Sequence, residues 1–390
     1  MRALLRKLRR ARFRYQPLIE VRIDRSALEH NYVQHCRSFG SAGVAPVLKS
    51  NAYGHDLCSV ATVLYPLRPP FLVIDSYFEA MMLQNERIRS PLLIMGYTPL
   101  VNISRFGLVD VRYVLMGMEQ VREIAAHLKS PRVFHLKIDT GMHRQGVMVH
   151  ELDEAIKLLT QNPYVKLEGA CTHLADADSS DTLFVEQQIK VWNRIAATLR
   201  TRLPTLRYWH VAASAGVRLS GQIDANVARV GLGLYGLSAL SRDAVPQKTR
   251  RDPSPTSNLA PVLSVTTMIT SIRTLRPGQH VGYNGTWTAH RPARIATIPL
   301  GYFEGLDRRL SNSGFVQVGG VLCPIVGRIS MNIASIDVTQ VPAATVGDRV
   351  IVFSADPSAA NSIAGAARLA NTIPYDLLVH IPQHLRRVIV

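Results

Sequence analysis

The sequence has no apolar run approaching the roughly 18 residues that a membrane-crossing helix needs, so no transmembrane segment is expected. It is poor in cysteine. Cys36, Cys58, Cys171 and Cys323 are far apart and form no C-x-x-C pair, which argues against a disulfide framework and against a metal site. Reduced, mostly buried thiols of a cytoplasmic protein are the expectation. Acidic residues are also short, 28 against 45 basic ones, for a net charge of +17. The deficit is sharpest in MRALLRKLRRARFRYQ, residues 1–16, which carry seven Arg/Lys and no acid. That stretch lacks an apolar h-region and is not a secretory signal. It reads as a basic, solvated tail, although Leu4, Leu5, Leu8 and Ala11 fall near helical spacing and also fit weak contact with an anionic membrane surface. A second basic stretch, SRDAVPQKTRRDPSPTSN at 241–258, is rich in Pro and Ser and reads as a linker. Neither stretch carries an RNA-binding motif or interleaved aromatics, so nucleic acid is not an expected partner.

What remains is ordinary globular composition, 47% hydrophobic and 19% charged. At 390 residues the chain exceeds one usual core. From about residue 45 one pattern repeats: a short apolar or β-branched run, a turn, then a helical stretch. The runs are APVLKS (45–50), FLVIDS (71–76), LLIMGY (92–97), VDVRYVL (109–115), VFHLKID (133–139), LEGACTH (167–173), YWHVAA (208–213) and VARVGLGLYG (227–236). Between them, stretches such as 151–161 and 186–200 place apolar residues three and four apart. Parallel neighbours need such crossovers, and eight units predict a (β/α)₈ barrel over residues 17–240, with a leading strand. After the linker, strands joined by Gly/Pro turns predict an all-β domain over 259–390, with little helical pattern before NSIAGAARLAN.

Barrels place their chemistry at the C-terminal ends of their strands. Lys49 ends the first run, Asp139 and Arg144 follow the fifth, His173 ends the sixth, Ser214 follows the seventh, and Arg229 and Gly231 lie on or beside the eighth. Singly, each has a bland reading: His173 as a core histidine, Arg144 as a loop ion pair, Ser214 as a helix N-cap. Together they predict one rim. Ser214 and the Gly231 backbone suit a phosphate group after strands seven and eight. A lysine beside an apolar strand is costly unless it is paired or neutral, and that is tolerated where the amine must act as nucleophile or base. Lysine and phosphate cradle on one rim point to pyridoxal 5′-phosphate.

KSNAYGHD resembles the pyridoxal-lysine signature of the alanine racemase family. HLKIDTGMHRQG, EGACTHLADAD, RVGLGLYG, VGYNGTWTA, IATIPLGYFEGLDRRLSN and PIVGRISMN match the same family in the same order, from about Ile19 to Tyr375. The resemblance implies racemisation of a small amino acid, L-alanine to D-alanine, by a homodimer whose C-terminal domain supplies residues to the partner's active site. It makes Lys49 the cofactor lysine and one base, and Tyr283 the other base on the opposite face of the substrate. It assigns Arg229 to the pyridine nitrogen and His173 to the face of the cofactor ring. Ser214, Gly231, Leu232 and Tyr53 join the cofactor-binding set. Arg144 falls beside cofactor and substrate carboxylate, Tyr302 and Met331 at the substrate pocket, and Lys137 where the family often has a carbamylated lysine. Two departures bear on substrate choice: Asn332 stands where the family has Asp, and Gln383 where many members have a pocket tyrosine. A broad-specificity racemase is therefore the first alternative. A pyridoxal-dependent decarboxylase is the second, but Arg229 and Tyr283 argue against it, and a mere cofactor carrier would have no use for Tyr283.

Overall fold

The computed structural model describes residues 16–39, 43–105, 107–177, 182–211, 221–237 and 258–390. The basic tail up to residue 15, the 241–258 linker except Asn258, and Ser214 lie outside the described residues. The chain divides into two compact units, Asp24–Val262 and a second that joins the segment ending at Ile23 to Leu263–Val390.

In the first unit eight strands run parallel: β1 (Gly43–Pro46), β2 (Leu72–Ile74), β3 (Leu92–Ile94), β4 (Val111–Leu115), β5 (Arg132–Asp139), β6 (Val165–Cys171), β7 (Tyr208–His210) and β8 (Val227–Val230). Their order is β1-β8-β7-β6-β5-β4-β3-β2, and a parallel bridge between Val47 and Val73 closes the ring. Each of the eight strands overlaps one of the apolar runs of the sequence, with β1 and β6 beginning two residues and β5 one residue ahead of theirs. Runs of Leu, Val and Ile suit them because barrel strands are covered on both faces. The helices follow from the 3.6-residue period. Leu152–Gln161 buries Leu152, Ala155, Ile156 and Leu159 and carries Asp153 and Glu154 in its first turn. Leu183–Arg202 buries Val185, Ile189, Trp192, Ile195, Ala196 and Leu199 and ends on Arg200 and Arg202. The unit extends to Val262 because Asn31 clamps Ala260, accepting from its N–H at 2.9 Å and donating to its carbonyl at 2.8 Å.

The leading strand, Glu20–Ile23, is laid into the second unit rather than into the barrel. It pairs antiparallel with Leu263–Met268 and parallel with Arg387–Ile389. The sheet order there is Val321–Pro324, Phe315–Val318, Arg349–Phe353, Leu263–Met268, Glu20–Ile23, Arg387–Ile389. Val21 and Ile23 are fully buried, so the strand's alternation covers this sheet. A three-stranded sheet of Ser271–Leu275, Ala293–Ile298 and Ala334–Asp337 and the hairpin His280–Val281/Trp287–Thr288 complete the strands. The unit is β-rich and not purely β, since it carries two short helices, Ile363–Leu369, capped by the Ser362 hydroxyl, and Pro374–Val379.

Candidate active site

The rim begins at an unusual turn. Beyond β1, Lys49 opens the segment Lys49–Tyr53, in which Ser50, Asn51, Ala52 and Tyr53 all have φ between 52 and 55°. This is a left-handed helical turn, a conformation that costs roughly 1–2 kcal/mol per non-glycine residue. Its neighbours hold it. The Asn51 side chain accepts from Leu57 N–H at 2.9 Å, and Asn51 N–H donates to Glu79 at 3.3 Å. Tyr235 donates its hydroxyl proton to the Val47 carbonyl at 3.0 Å and stacks on His55 at 4.2 Å. Lys49 is thereby fixed half-buried at the strand end.

Gly231 lies just past β8 and is needed as glycine: a Cβ there would stand 2.6 Å from the Tyr53 hydroxyl oxygen. Tyr53, Gly231 and Leu232 are all buried, so the two chain ends of the ring meet at β1 and β8. Arg229, 4% exposed, directs Nη1 to His210 Nδ1 (2.8 Å) and the His210 carbonyl (2.5 Å). Nη2 reaches the Thr172 carbonyl (2.8 Å), the Val211 carbonyl (3.1 Å) and His173 Nδ1 (3.3 Å). Nε carries no hydrogen bond to any described residue.

His173 lies within electrostatic reach of several basic side chains. Burial, and then the charges of Arg229, Lys137, Arg144 and Lys49, push its pKa down to about 3. Gln188 holds its loop, donating to the His173 carbonyl at 3.3 Å and accepting from Ala175 N–H at 2.8 Å. Lys137, buried on β5, is lowered first by burial and then by Arg229 and Arg144, and donates to Gln145 at 3.3 Å. Burial raises the Asp139 carboxyl, but the N–H groups of Gly141, His143 and Arg144 more than offset this and leave it below the usual range. Four cations around one neutral imidazole make a mouth that favours an anion.

Lys49, Tyr53, Lys137, Arg144, His173, Arg229, Gly231 and Leu232 are thus gathered in the barrel unit. Tyr283, Tyr302 and Met331 belong to the other unit. Tyr283 follows Gly282 (φ 73°) at the tip of the short hairpin and is 67% exposed. Tyr302 and Met331 lie in two loops zipped together, with Tyr302 N–H on the Ser330 carbonyl (3.1 Å) and Phe303 N–H on the Met331 carbonyl (2.9 Å). Asn332 completes the zipper by donating to Glu304 at 2.6 Å, while Glu304 accepts from Gly301 N–H at 2.9 Å. The amide at 332 thus leaves one carboxylate where aspartate would make two. Gln383 is exposed.

Sequence reading missed His210, His135 and Glu168, which connect to Arg229 below the rim. The available signal was two histidines and a glutamate inside strands otherwise built for burial.

The pyridoxal group fits these residues: an acceptor would meet Arg229 Nε, and the basic side chains around His173 suit the phosphate anion. Comparison with known proteins agrees with the architecture. The family described as "Alanine racemase, N-terminal domain" matches residues 23–239, and "Alanine racemase, C-terminal domain" matches 262–389. An alanine racemase of Syntrophobacter fumaroxidans is 33% identical over 93% of this chain and 94% of its own. One from Sorangium cellulosum is 34% identical over 87% and 90%. A solved alanine racemase from Bacillus anthracis, with bound L-Ala-P, superposes with a TM-score of 0.84 at 28% identity, over 97% of this chain and 96% of its own. This chain belongs to the alanine racemase family, a family of isomerases.

Proposed function

We propose that the chain interconverts L- and D-alanine with pyridoxal 5′-phosphate as cofactor, using Lys49 and Tyr283 as its two bases. The observation that carries this reading is the convergence of Lys49, Lys137, Arg144 and Arg229 on His173, beside the Tyr53–Gly231 cradle. When bound, the cofactor draws electron density away from the substrate Cα and makes its proton removable. Lys49 holds the cofactor and takes or returns the Cα proton on one face. The Tyr283 phenol does so on the other, which is what inversion requires. Arg229, donor-only, would offer Nε to the ring nitrogen of the cofactor and so favour its unprotonated form. His173, held neutral, packs on the ring. Tyr53, Ser214 and the N–H groups of Gly231 and Leu232 receive the phosphate. Arg144 binds the substrate carboxylate, with Lys137 beside it.

Tyr283, Tyr302 and Met331 are exposed on their own unit, as surfaces offered to a partner are. We assign them to the active site of a second copy, in a homodimer that sedimentation would register as a two-chain species. With its four cysteines free, the enzyme fits the cytoplasm. A broader substrate range is the second reading, favoured by Asn332 and by exposed Gln383. Borohydride reduction of the yellow holoenzyme, followed by peptide mapping, tests the cofactor assignment. The label should fall on Lys49, and a label elsewhere, or none in an active colourless enzyme, would refute it.

A further inference from the structure

Below the rim, a row of polar side chains crosses the barrel core from Arg229 on β8 to Arg112 on β4. Arginine only donates, so His210 Nδ1, 2.8 Å from Arg229 Nη1, accepts. A neutral imidazole then has its proton on Nε2. That nitrogen lies 2.7 Å from His135 Nδ1, which accepts in turn. The His135 proton therefore sits on Nε2, facing Glu168 Oε2 at 3.7 Å, beyond hydrogen-bond length but well within electrostatic reach in a dry core. Glu168 accepts from Arg112 Nε at 2.7 Å, and Arg112 pairs with Asp110. Read from the other end, the Glu168 carboxylate only accepts and draws the His135 proton to the same nitrogen. Both ends dictate one set of tautomers.

The surroundings are shaped around this row. His135 and His210 are fully buried, and Phe71 presents itself edge-on to both rings at 5.6 and 5.7 Å. The β5–β6 register shifts so that Phe134 pairs with Leu167 and His135 with Gly169, leaving Glu168 as the extra residue of a bulge. Gly169 carries no side chain where one would collide, since a Cβ there would stand 2.8 Å from His135 Nδ1. Burial keeps both imidazoles below their usual range and hence neutral.

We propose that His210 and His135 form a one-way hydrogen-bond chain, oriented at its far end by the charge of Glu168, that positions Arg229, holding its guanidinium so that Nε faces the ring nitrogen of the cofactor. The inference rests on the cofactor reading above. These are positioning residues: none touches the substrate. With Nη1 and Nη2 fully engaged, the guanidinium plane is fixed, and among the described residues His210 supplies the one side-chain acceptor for Nη1.

The test begins with the wild-type chain labelled with ¹⁵N-histidine, free of cofactor and loaded with pyridoxal phosphate. Two slowly exchanging imidazoles with the proton on Nε2 and a bare Nδ1 are expected in both forms near neutral pH. In His210→Phe the backbone carbonyl bond to Arg229 survives and only the ring acceptor is lost. Its kcat should fall roughly 10–100-fold, the range of outer-shell partners, with KM within about threefold and the absorption maximum of the bound cofactor shifted. Gly169→Ala displaces His135 without removing a titratable group and should move the His210 Nε2 proton resonance, with a kcat loss of the same sign. A charged ring, a proton on either Nδ1, or folded His210→Phe with unchanged kcat and unchanged absorption would overturn the positioning role. A wild-type chain that takes up no pyridoxal phosphate would instead overturn the cofactor reading, and the role with it.

Discussion

Four of the five N–H donors of Arg229 point into protein, and only Nε is left for a ligand among the described residues. A flexible lysine could not be fixed in this way, because its ammonium rotates and carries no planar fork. The sequence pointed to Arg229 as an arginine inside a strand built for burial, but not to what holds it, because His135, Glu168 and His210 come from three separated segments. At Asn332 the sequence raised a doubt that geometry makes specific. Asn332→Asp would place a second carboxylate against Glu304, at the 2.6 Å now spanned by an amide donor. Two like charges at that distance cannot both ionise comfortably. The variant should lose about 1–3 kcal/mol of stability at neutral pH, with the loss shrinking in mildly acidic buffer as the pair shares a proton. Equal stability of both proteins by chemical denaturation at neutral pH would show that the contact is not formed.

Among the elements, the eight barrel strands were legible because apolar runs of that length, spaced by helical stretches, admit few other arrangements. The sheet membership of Glu20–Ile23 was not, because alternation tells which face is buried and not which strand is the neighbour. The left-handed turn at 50–53 was also hidden. Ser, Ala and Tyr are poor advertisements for positive φ, and only Asn51 (φ 55°) and Gly54 (φ 80°) there are residues that adopt it readily. Such strain is tolerated only where tertiary contacts over-determine the backbone, and here it is concentrated next to Lys49. Ser50 is exposed, so its backbone can be tested apart from packing. Ser50→Gly should be neutral or stabilising by up to about 1 kcal/mol, whereas Ser50→Val should cost at least about 1 kcal/mol, because a β-branched side chain tolerates φ near 55° poorly. Thermal unfolding of the two variants side by side would check it. Equal midpoints would mean that the turn is not left-handed in solution.

At the scale of the whole molecule, the buried histidines give stability a sign with pH. His135 and His210 are held neutral by burial, with pKa below the usual 6.5. In the unfolded chain they regain that ordinary value. Protons therefore bind the unfolded state preferentially as pH falls below about 6.5, and stability is complete above that pH and lost beneath it, by roughly 1.4 kcal/mol per pH unit for each group. Glu168 adds a second, lower window. Burial raises it, but His135 and Arg112 bring it down to about 2, so its contribution is lost only as pH falls from about 4.5 toward 2. The melting temperature of the cofactor-free chain should be flat above neutrality and drop steeply between about pH 6.5 and 4.5. A flat profile down to pH 5 would contradict buried neutral imidazoles.

The central claim is that the enzyme removes and returns the alanine Cα proton from both faces, through Lys49 of one copy and Tyr283 of a second. The most direct measurement follows the exchange of that proton in D₂O, starting separately from L- and D-alanine, with the pyridoxal-loaded wild type and Tyr283→Phe. Wild type should incorporate deuterium from both enantiomers while forming its mirror image. Tyr283→Phe should retain cofactor and slow racemisation in both directions by about 10²–10⁴-fold, with proton removal from one enantiomer suffering most. Unchanged exchange of both enantiomers in the variant, or no exchange in the loaded wild type, would contradict the claim.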